Sequence, residues 1–345
     1  MFDAINSAEE SICLETYIFN SDLTGRRFAE ALSDRAADGI EVLVSYDAIG
    51  SFGSSQDVFD TMRKAGAHVM VFNPIRFTRL HKFTRRNHRK ILVCDGWRGI
   101  AGGTNIANDY APVDWGGRNF RDTNVEIRGP GSRELLKLFL GTWREEGGVS
   151  PANVVPKLSE QAGSCPVQVL GTKIYADRHR IRRSYLRSIR DATRSIYVAN
   201  SYFVPTRSIF KALVAARRRG VDVRLLLAGK SDIPLVQWAG REFYTRLLEA
   251  GIRIYEYQQR VMHAKTATID GLWTTIGSYN LDRMSYFRNL EVNVSIWNQE
   301  AATTMEEMFI EDLKNAKEIT LKEWKRRPWS WRLKSQIAHL FRAWL

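Results

Sequence analysis

Cysteine is scarce in this 345-residue chain, with three in all, and Cys13, Cys94 and Cys165 form neither an even set nor a cluster. That excludes a disulfide framework and a cysteine metal site, leaving reduced core thiols and a loop thiol. Long apolar runs are also missing: none reaches the roughly 20 residues that span a bilayer, and the start carries no signal-peptide pattern. A soluble or peripheral protein is expected. Acids are in deficit, 38 against 51 Lys and Arg for a net charge of +13, so the partner should be anionic, either nucleic acid or an acidic membrane. Apolar residues are plentiful: at 44% of the chain they exclude disorder and suffice for two cores.

The chain says one thing twice. "NHRKILVCDGWRGIAGGTN" from Asn87 returns as "MHAKTATIDGLWTTIGSYN" from Met262. His88 and Lys90, like His263 and Lys265, stand two apart in segments that read as short buried strands, which puts both side chains on one face. Asp95-Gly96 and Asp270-Gly271 favour a tight hairpin turn. If the arms pair evenly about those turns, Gly103 lies roughly opposite His88 and Ser278 roughly opposite His263. The small residues then leave room beside each imidazole, and Asn105 and Asn280 aim amide donors into it. Imidazole, ammonium and amide directed at one space suit an anion with several oxygens, above all phosphate. One chance match of His-x-Lys-x4-Asp in such a chain is on the order of a few per cent, and two with the same glycine-rich continuation is far rarer.

The repetition extends beyond the motifs. "AINSAEESICLETYIF" from Ala4 parallels "SIRDATRSIYVANSYF" from Ser188, each a helix running into a strand. "ADGIEVLVSYD" from Ala37 matches "RRGVDVRLLLA" from Arg218, and "KAGAHVMVF" from Lys64 matches "EAGIRIYEY" from Glu249. Helix, Gly turn and hydrophobic strand in alternation imply βα units and a mainly parallel sheet in each half. "DTNVEI" from Asp122 lines up with "EVNVSI" from Glu291, so each half carries a carboxylate at the start of a further strand. The matched positions point to a histidine-orienting role for Asp122 and Glu291.

A Gly, Pro and Ser-rich linker at 149–166 separates a first half, 1–148, from a second, 167–315. The second half has an extra segment ahead of its first matched helix while the first half begins inside that helix, so the natural chain is expected to start earlier, with an edge strand of the first half missing. Two basic stretches stand out. "RFTRLHKFTRRNHRK" from Arg76 leads into the first motif, and its His81, without motif context, reads as a loop residue. A basic amphipathic tail occupies 316–345, where Trp331, Leu333, Ile337, Leu340, Phe341 and Trp344 recur at helical spacing among Arg332, Gln336, His339 and Arg342. Such a helix either lies in a lipid interface or packs on the protein's own surface.

The duplicated His-x-Lys-x4-Asp-x6-Gly-(Gly/Ser)-x-Asn resembles the HKD motif of the phospholipase D superfamily, and the order of elements over nearly the whole chain is most like that of the bacterial cardiolipin synthases. The resemblance implies two similar α/β/α halves with the active site at their interface and no metal or other cofactor. It implies catalytic roles for His88, Lys90, Asp95, His263, Lys265 and Asp270, although both aspartates fit the turn better than a phosphate pocket. One histidine attacks phosphorus while the other protonates the leaving alcohol; by analogy His88 is the nucleophile and His263 the acid/base, an order the sequence alone leaves open. Lys90 and Lys265 would neutralise phosphate oxygens, a unit pair at 4 Å and an effective dielectric near 20 giving about 4 kcal/mol before desolvation. Asn105 and Asn280 would hold the phosphate. The expected reaction joins two phosphatidylglycerol molecules into cardiolipin and glycerol, on the cytoplasmic face of a bacterial membrane. Phospholipid hydrolysis is the alternative, and a nuclease the weaker one: aromatic residues interleave the basic stretches, which favours lipid over nucleic acid. A binding-only protein is disfavoured because neither motif has lost His, Lys or Asn.

Overall fold

In the computed structural model, residues 1–74, 84–151, 154, 162–172 and 179–341 are described. His81 with the front of its basic stretch, much of the 149–166 linker, and Arg342 and Trp344 lie outside the described residues. The chain forms two compact units that do not follow the halves of the sequence strictly. The first is 1–120, 124–164 and 289–292; the second is 121–123, 165–288 and 293–345. Each unit therefore takes a few residues from the other half of the sequence, and those residues include Asp122 and Glu291.

In the first unit the order is α1 (Phe2–Asn6), β1 (Ser11–Thr16), α2 (Leu23–Ala37), β2 (Glu41–Asp47), α3 (Gln56–Lys64), β3 (His68–Phe72), β4 (Ile91–Cys94), β5 (Arg98–Gly102), β6 (Asn124–Arg128) and α4 (Pro130–Glu145). The sheet runs β3-β2-β1-β4-β5-β6. β1, β2 and β3 pair in parallel, as βα units require, and the hairpin strands extend the sheet antiparallel. Every residue of β1 is buried, as expected of a central strand covered on both faces. Ile12, Leu14, Val42, Val44 and Leu92 pack under Phe28 and Leu32 of α2 and Phe59 and Met62 of α3, while α4 lies against β4 and β5. Asp22 starts α2 by accepting the Gly25 amide at 3.0 Å.

The second unit repeats this plan with β7 (Val167–Gly171), α5 (Arg180–Asp191), β8 (Ser195–Asn200), α6 (Arg207–Arg218), β9 (Asp222–Ala228), α7 (Pro234–Arg241), α8 (Tyr244–Glu249), β10 (Arg253–Tyr257), β11 (Lys265–Ile269), β12 (Trp273–Gly277), α9 (Arg283–Phe287), β13 (Val292–Trp297), α10 (Gln299–Lys314), β14 (Ala316–Ile319), α11 (Leu321–Lys325) and α12 (Trp329–Leu340). Its sheet runs β14-β10-β9-β8-β11-β12-β13-β7, again parallel at β8 to β10 and antiparallel through the hairpin. The segment set apart as a tail begins inside this sheet: β14 pairs antiparallel with β10, Ile254 opposite Ile319. A four-residue strand with Lys317 and Glu318 at its centre hides in a charged sequence because only its pairing, not its composition, makes it a strand.

The hairpins depart from even pairing. Asp95 and Gly96 have φ of 54° and 65°, Asp270 and Gly271 of 56° and 62°, the left-handed pair that a tight turn needs. A third loop residue follows in each, Trp97 and Leu272, so Cys94 pairs with Arg98 and Ile269 with Trp273. The ladder is thus shifted by one residue from the even register, and it starts only at Ile91 and Thr266. Gly103 and Ser278 are not brought opposite His88 and His263, both of which precede their strands.

Candidate active site

Each imidazole is set by the same device. In the first unit, the His88 amide donates to the Leu290 carbonyl and the Leu290 amide to the Arg86 carbonyl, both at 2.9 Å. These bonds lay 289–292 alongside 86–88 as a parallel bridge between Asn87 and Leu290. One residue further on, His88 Nδ1 is 3.1 Å from Glu291 Oε2. In the second unit, the Arg121 amide donates to the Val261 carbonyl and the His263 amide to the Arg121 carbonyl, both at 2.8 Å, with Arg121 bridged to Met262. His263 Nδ1 is then 2.7 Å from Asp122 Oδ2. A carboxylate only accepts, so each Nδ1 carries the proton and the lone pair of each neutral ring lies on Nε2. The matched acids do meet the histidines, and each meets the one in the other half of the sequence.

The lysines lie beside their histidines. Lys90 Nζ donates to the His88 carbonyl at 2.7 Å, and Lys265 Nζ donates to the His263 carbonyl. An aromatic ring that sequence reasoning passed over flanks each pair. Tyr17 is 5.0 Å from the His88 ring and 5.3 Å from Lys90 Nζ; Tyr202 is 6.1 Å from the His263 ring and 5.8 Å from Lys265 Nζ. Both tyrosines follow the end of a repeated strand, the usual place for site residues in such sheets, which is the signal that was available. Burial pushes the Tyr17 hydroxyl up to about 12, so it remains a neutral donor.

The asparagines are partly engaged already. Asn105 accepts the Ile18 amide at 3.1 Å and donates to the Tyr110 hydroxyl at 2.7 Å, and Asn280 accepts from Ser201 Oγ at 2.8 Å. Each therefore ties the end of its hairpin to the loop that follows β1 or β8. The motif aspartates sit at the opposite end. Asp95 accepts the amides of Glu9, Glu10 and Ser11, and Asp270 those of Thr193, Arg194 and Ser195. An extended run from His88 to Asp95 covers roughly 23 Å. At that distance the aspartates anchor β1 and β8 to the hairpins rather than touch a phosphate held by histidine. A cavity of about 620 Å³ opens at this far end, lined by Ile269, Asp270 and Trp273, and is therefore remote from His263.

Burial, and after it the Lys265 ammonium, push His263 down from 6.5 to about 4, with Asp122 opposing. Above the unfolded value of about 6.5 the histidine is neutral in both states; between about 6.5 and 4 only the unfolded chain binds the proton. Stability is therefore full above pH 6.5 and falls as pH drops toward 4, by about 3 kcal/mol from this residue. Urea unfolding of His263→Gln across that interval should show a correspondingly shallower acid loss; a slope equal to that of the unsubstituted protein would reject the buried neutral histidine.

A second buried network has no counterpart in the second unit. Glu15 on β1, wholly buried, lies 3.8 Å from Arg89 and accepts from Asn87 Nδ2; Arg89 also donates to Thr142 Oγ1 at 2.9 Å. The corresponding residues of the repeat are Ala199 and Ala264. Removing one partner of a buried pair strands the other charge, so Arg89→Met should cost about 3–5 kcal/mol of unfolding free energy. Adding Glu15→Gln, which keeps an acceptor for Asn87, should restore most of it. Equal stability of the single and double variants in urea would show that the pair is not coupled.

The family described as "Cardiolipin synthase, PLD-like domain" matches residues 1–143 and 185–313. A cardiolipin synthase of Geobacillus thermodenitrificans is 35% identical over 344 residues, 99% of this chain and 68% of its own length. One from Geobacillus kaustophilus is 34% identical over the same span and shares. Among solved structures, phosphatidylserine synthase of Haemophilus influenzae superposes with a TM-score of 0.74 over 100% of this chain and 92% of its own, at 12% identity, a likeness of fold.

Proposed function

Because the chain belongs to the cardiolipin synthase family of phospholipase D-like proteins, we propose that it is a phosphatidyltransferase that joins two phosphatidylglycerol molecules into cardiolipin and releases glycerol. The observation that carries this reading is the identity of about a third with curated cardiolipin synthases over almost the whole chain, both HKD units being complete. One imidazole Nε2 attacks phosphorus, the bond to the glycerol headgroup breaks, and the other imidazole protonates the departing glycerol oxygen. The phosphatidyl group is then held on histidine. A terminal hydroxyl of the second phosphatidylglycerol gives its proton to the acid/base histidine and attacks phosphorus, and the phosphorus–nitrogen bond breaks. Lys90 and Lys265 offset the charge on the phosphoryl oxygens, and the asparagines and tyrosines supply neutral donors.

With His88 as nucleophile, His263 must carry a proton when glycerol leaves. The phosphodiester anion supports this by cancelling part of the Lys265 field that holds His263 low. The low resting value favours the reverse order, in which neutral His263 attacks. Acid-free trapping of the intermediate and mass spectrometry of the two motif peptides decides between them.

Among the described residues no helix is long and apolar enough to cross a membrane, and we place the protein peripherally on the cytoplasmic face of a bacterial membrane. Purified protein mixed with phosphatidylglycerol vesicles should form one glycerol per cardiolipin, with or without chelator, since the cationic lysines beside both histidines oppose a catalytic metal. Phosphatidic acid as the sole product would make it a hydrolase, and cleavage of DNA in place of lipid would make it a nuclease.

A further inference from the structure

α12 is built inside out. It docks on α7 through its small side chains: Ser335 and Ala338 are 1% and 2% exposed. Beside them Trp331 lies 5.4 Å from the Trp238 ring and 5.2 Å from the Arg241 guanidinium, and His339 is 5.3 Å from Phe243. Its large apolar residues point elsewhere. Trp329, Leu333, Ile337, Leu340 and Phe341 are 76%, 46%, 47%, 76% and 50% exposed. At 3.6 residues per turn these five fall within roughly a third of the helix circumference, centred about 150° from the docked side. A helix held only by its own protein does the reverse, burying Leu, Ile and Phe and exposing Ser.

Two further features say what covers that face. The segment 321–341 carries Lys322, Lys325, Arg326, Arg327, Arg332 and Lys334 against the single acid Glu323, and Arg332 and Lys334 flank the apolar arc on the helix wheel. α7, on which α12 docks, carries exposed apolar residues of its own near the site. Ile233 and Leu235, at the start of α7, are 43% and 44% exposed; the preceding Asp232 accepts from the Tyr202 hydroxyl at 2.5 Å, and Tyr202 flanks His263.

We propose that α12 and the start of α7 form a docking face for the interfacial zone of an anionic phospholipid bilayer, and that this face seats the His263 site at the lipid surface. The apolar arc enters the headgroup boundary, and the flanking cations meet anionic headgroups. A cationic rim opposes its own copy, which disfavours a second chain as the occupant. The purpose of the face rests on the phosphatidyl-transfer reading, but its test does not.

The variant Leu333→Ser/Ile337→Ser/Leu340→Ser alters exposed residues outside the catalytic machinery. Sedimentation with vesicles of phosphatidylglycerol and phosphatidylcholine should show a drop in partitioning on the order of a hundredfold, and vesicles of phosphatidylcholine alone should bind the unsubstituted protein weakly. The rate on a short-chain, water-soluble phosphatidylglycerol should stay at the unsubstituted value. Should the triple variant fail to fold, Leu340→Ser alone repeats the test with a loss of at least about threefold. Unchanged vesicle binding overturns the proposal. So does a solution dimer, seen by sedimentation velocity, that the triple variant converts to monomer without altering vesicle binding. Weakened vesicle binding in a protein with no activity on any phospholipid would sustain the docking face and sink the functional reading instead.

Discussion

His88→Ala and His263→Ala are each expected to lower phosphatidyl transfer by at least about 10⁴-fold. On the proposed mechanism the two imidazoles share one reaction coordinate: one forms the bond to phosphorus, and the other moves the proton that lets the alcohol leave and the acceptor attack. Loss of either stops both half-reactions, so the double variant should be scarcely worse than the singles. The singles differ in what they accumulate. Without the nucleophile no phosphohistidine forms in a single turnover. Without the acid/base, a substrate with a good leaving group such as p-nitrophenol, which needs no proton, should still load the remaining histidine. Both variants should keep their circular dichroism, since each histidine precedes its strand and contributes its backbone bond to the bridge regardless of side chain. A rate near that of the unsubstituted protein in either variant would end the two-histidine mechanism.

Asp122→Asn and Glu291→Gln are expected to lower kcat by about 10²–10⁴-fold with little change in KM. Each substitution keeps the shape and removes the charge. The new amide can offer an N–H to Nδ1, which favours the tautomer with its proton on Nε2, the atom that must attack or accept. Because Asp122 also helps hold a positive charge on His263, Asp122→Asn should move the limb of the kcat profile that His263 sets to lower pH. A purely structural role would leave that limb in place and change the urea midpoint instead. Equal kcat and unchanged pH profiles in both variants would remove the carboxylates from the mechanism.

Sequence by itself determined the two-unit plan, because a repeated helix, Gly turn and apolar strand can bury its faces only as βα units, and it did so twice in the same order. It also determined the pairing of His with Lys, since their spacing in an extended segment places both on one face. The matched positions of Asp122 and Glu291 marked them as histidine partners. Local pattern reached no further. A third residue in each hairpin loop shifted the register, which Asp-Gly alone does not reveal. The motif aspartates fit their turns from the sequence, but that they anchor β1 and β8 was decided by the neighbouring segments whose amides they accept. Tyr17 and Tyr202 became site residues only when neighbouring strands placed their rings beside the imidazoles. The orientation of α12 was likewise undecided by its periodicity, for an amphipathic pattern says that two faces differ and not which of them meets the protein. The exchange of Asp122 and Glu291 between the halves of the sequence lay furthest from view: each acid is positioned by backbone bonds that its neighbour in the chain makes to a segment more than a hundred residues away, and such pairing is selected by the folded strands rather than by any local sequence preference.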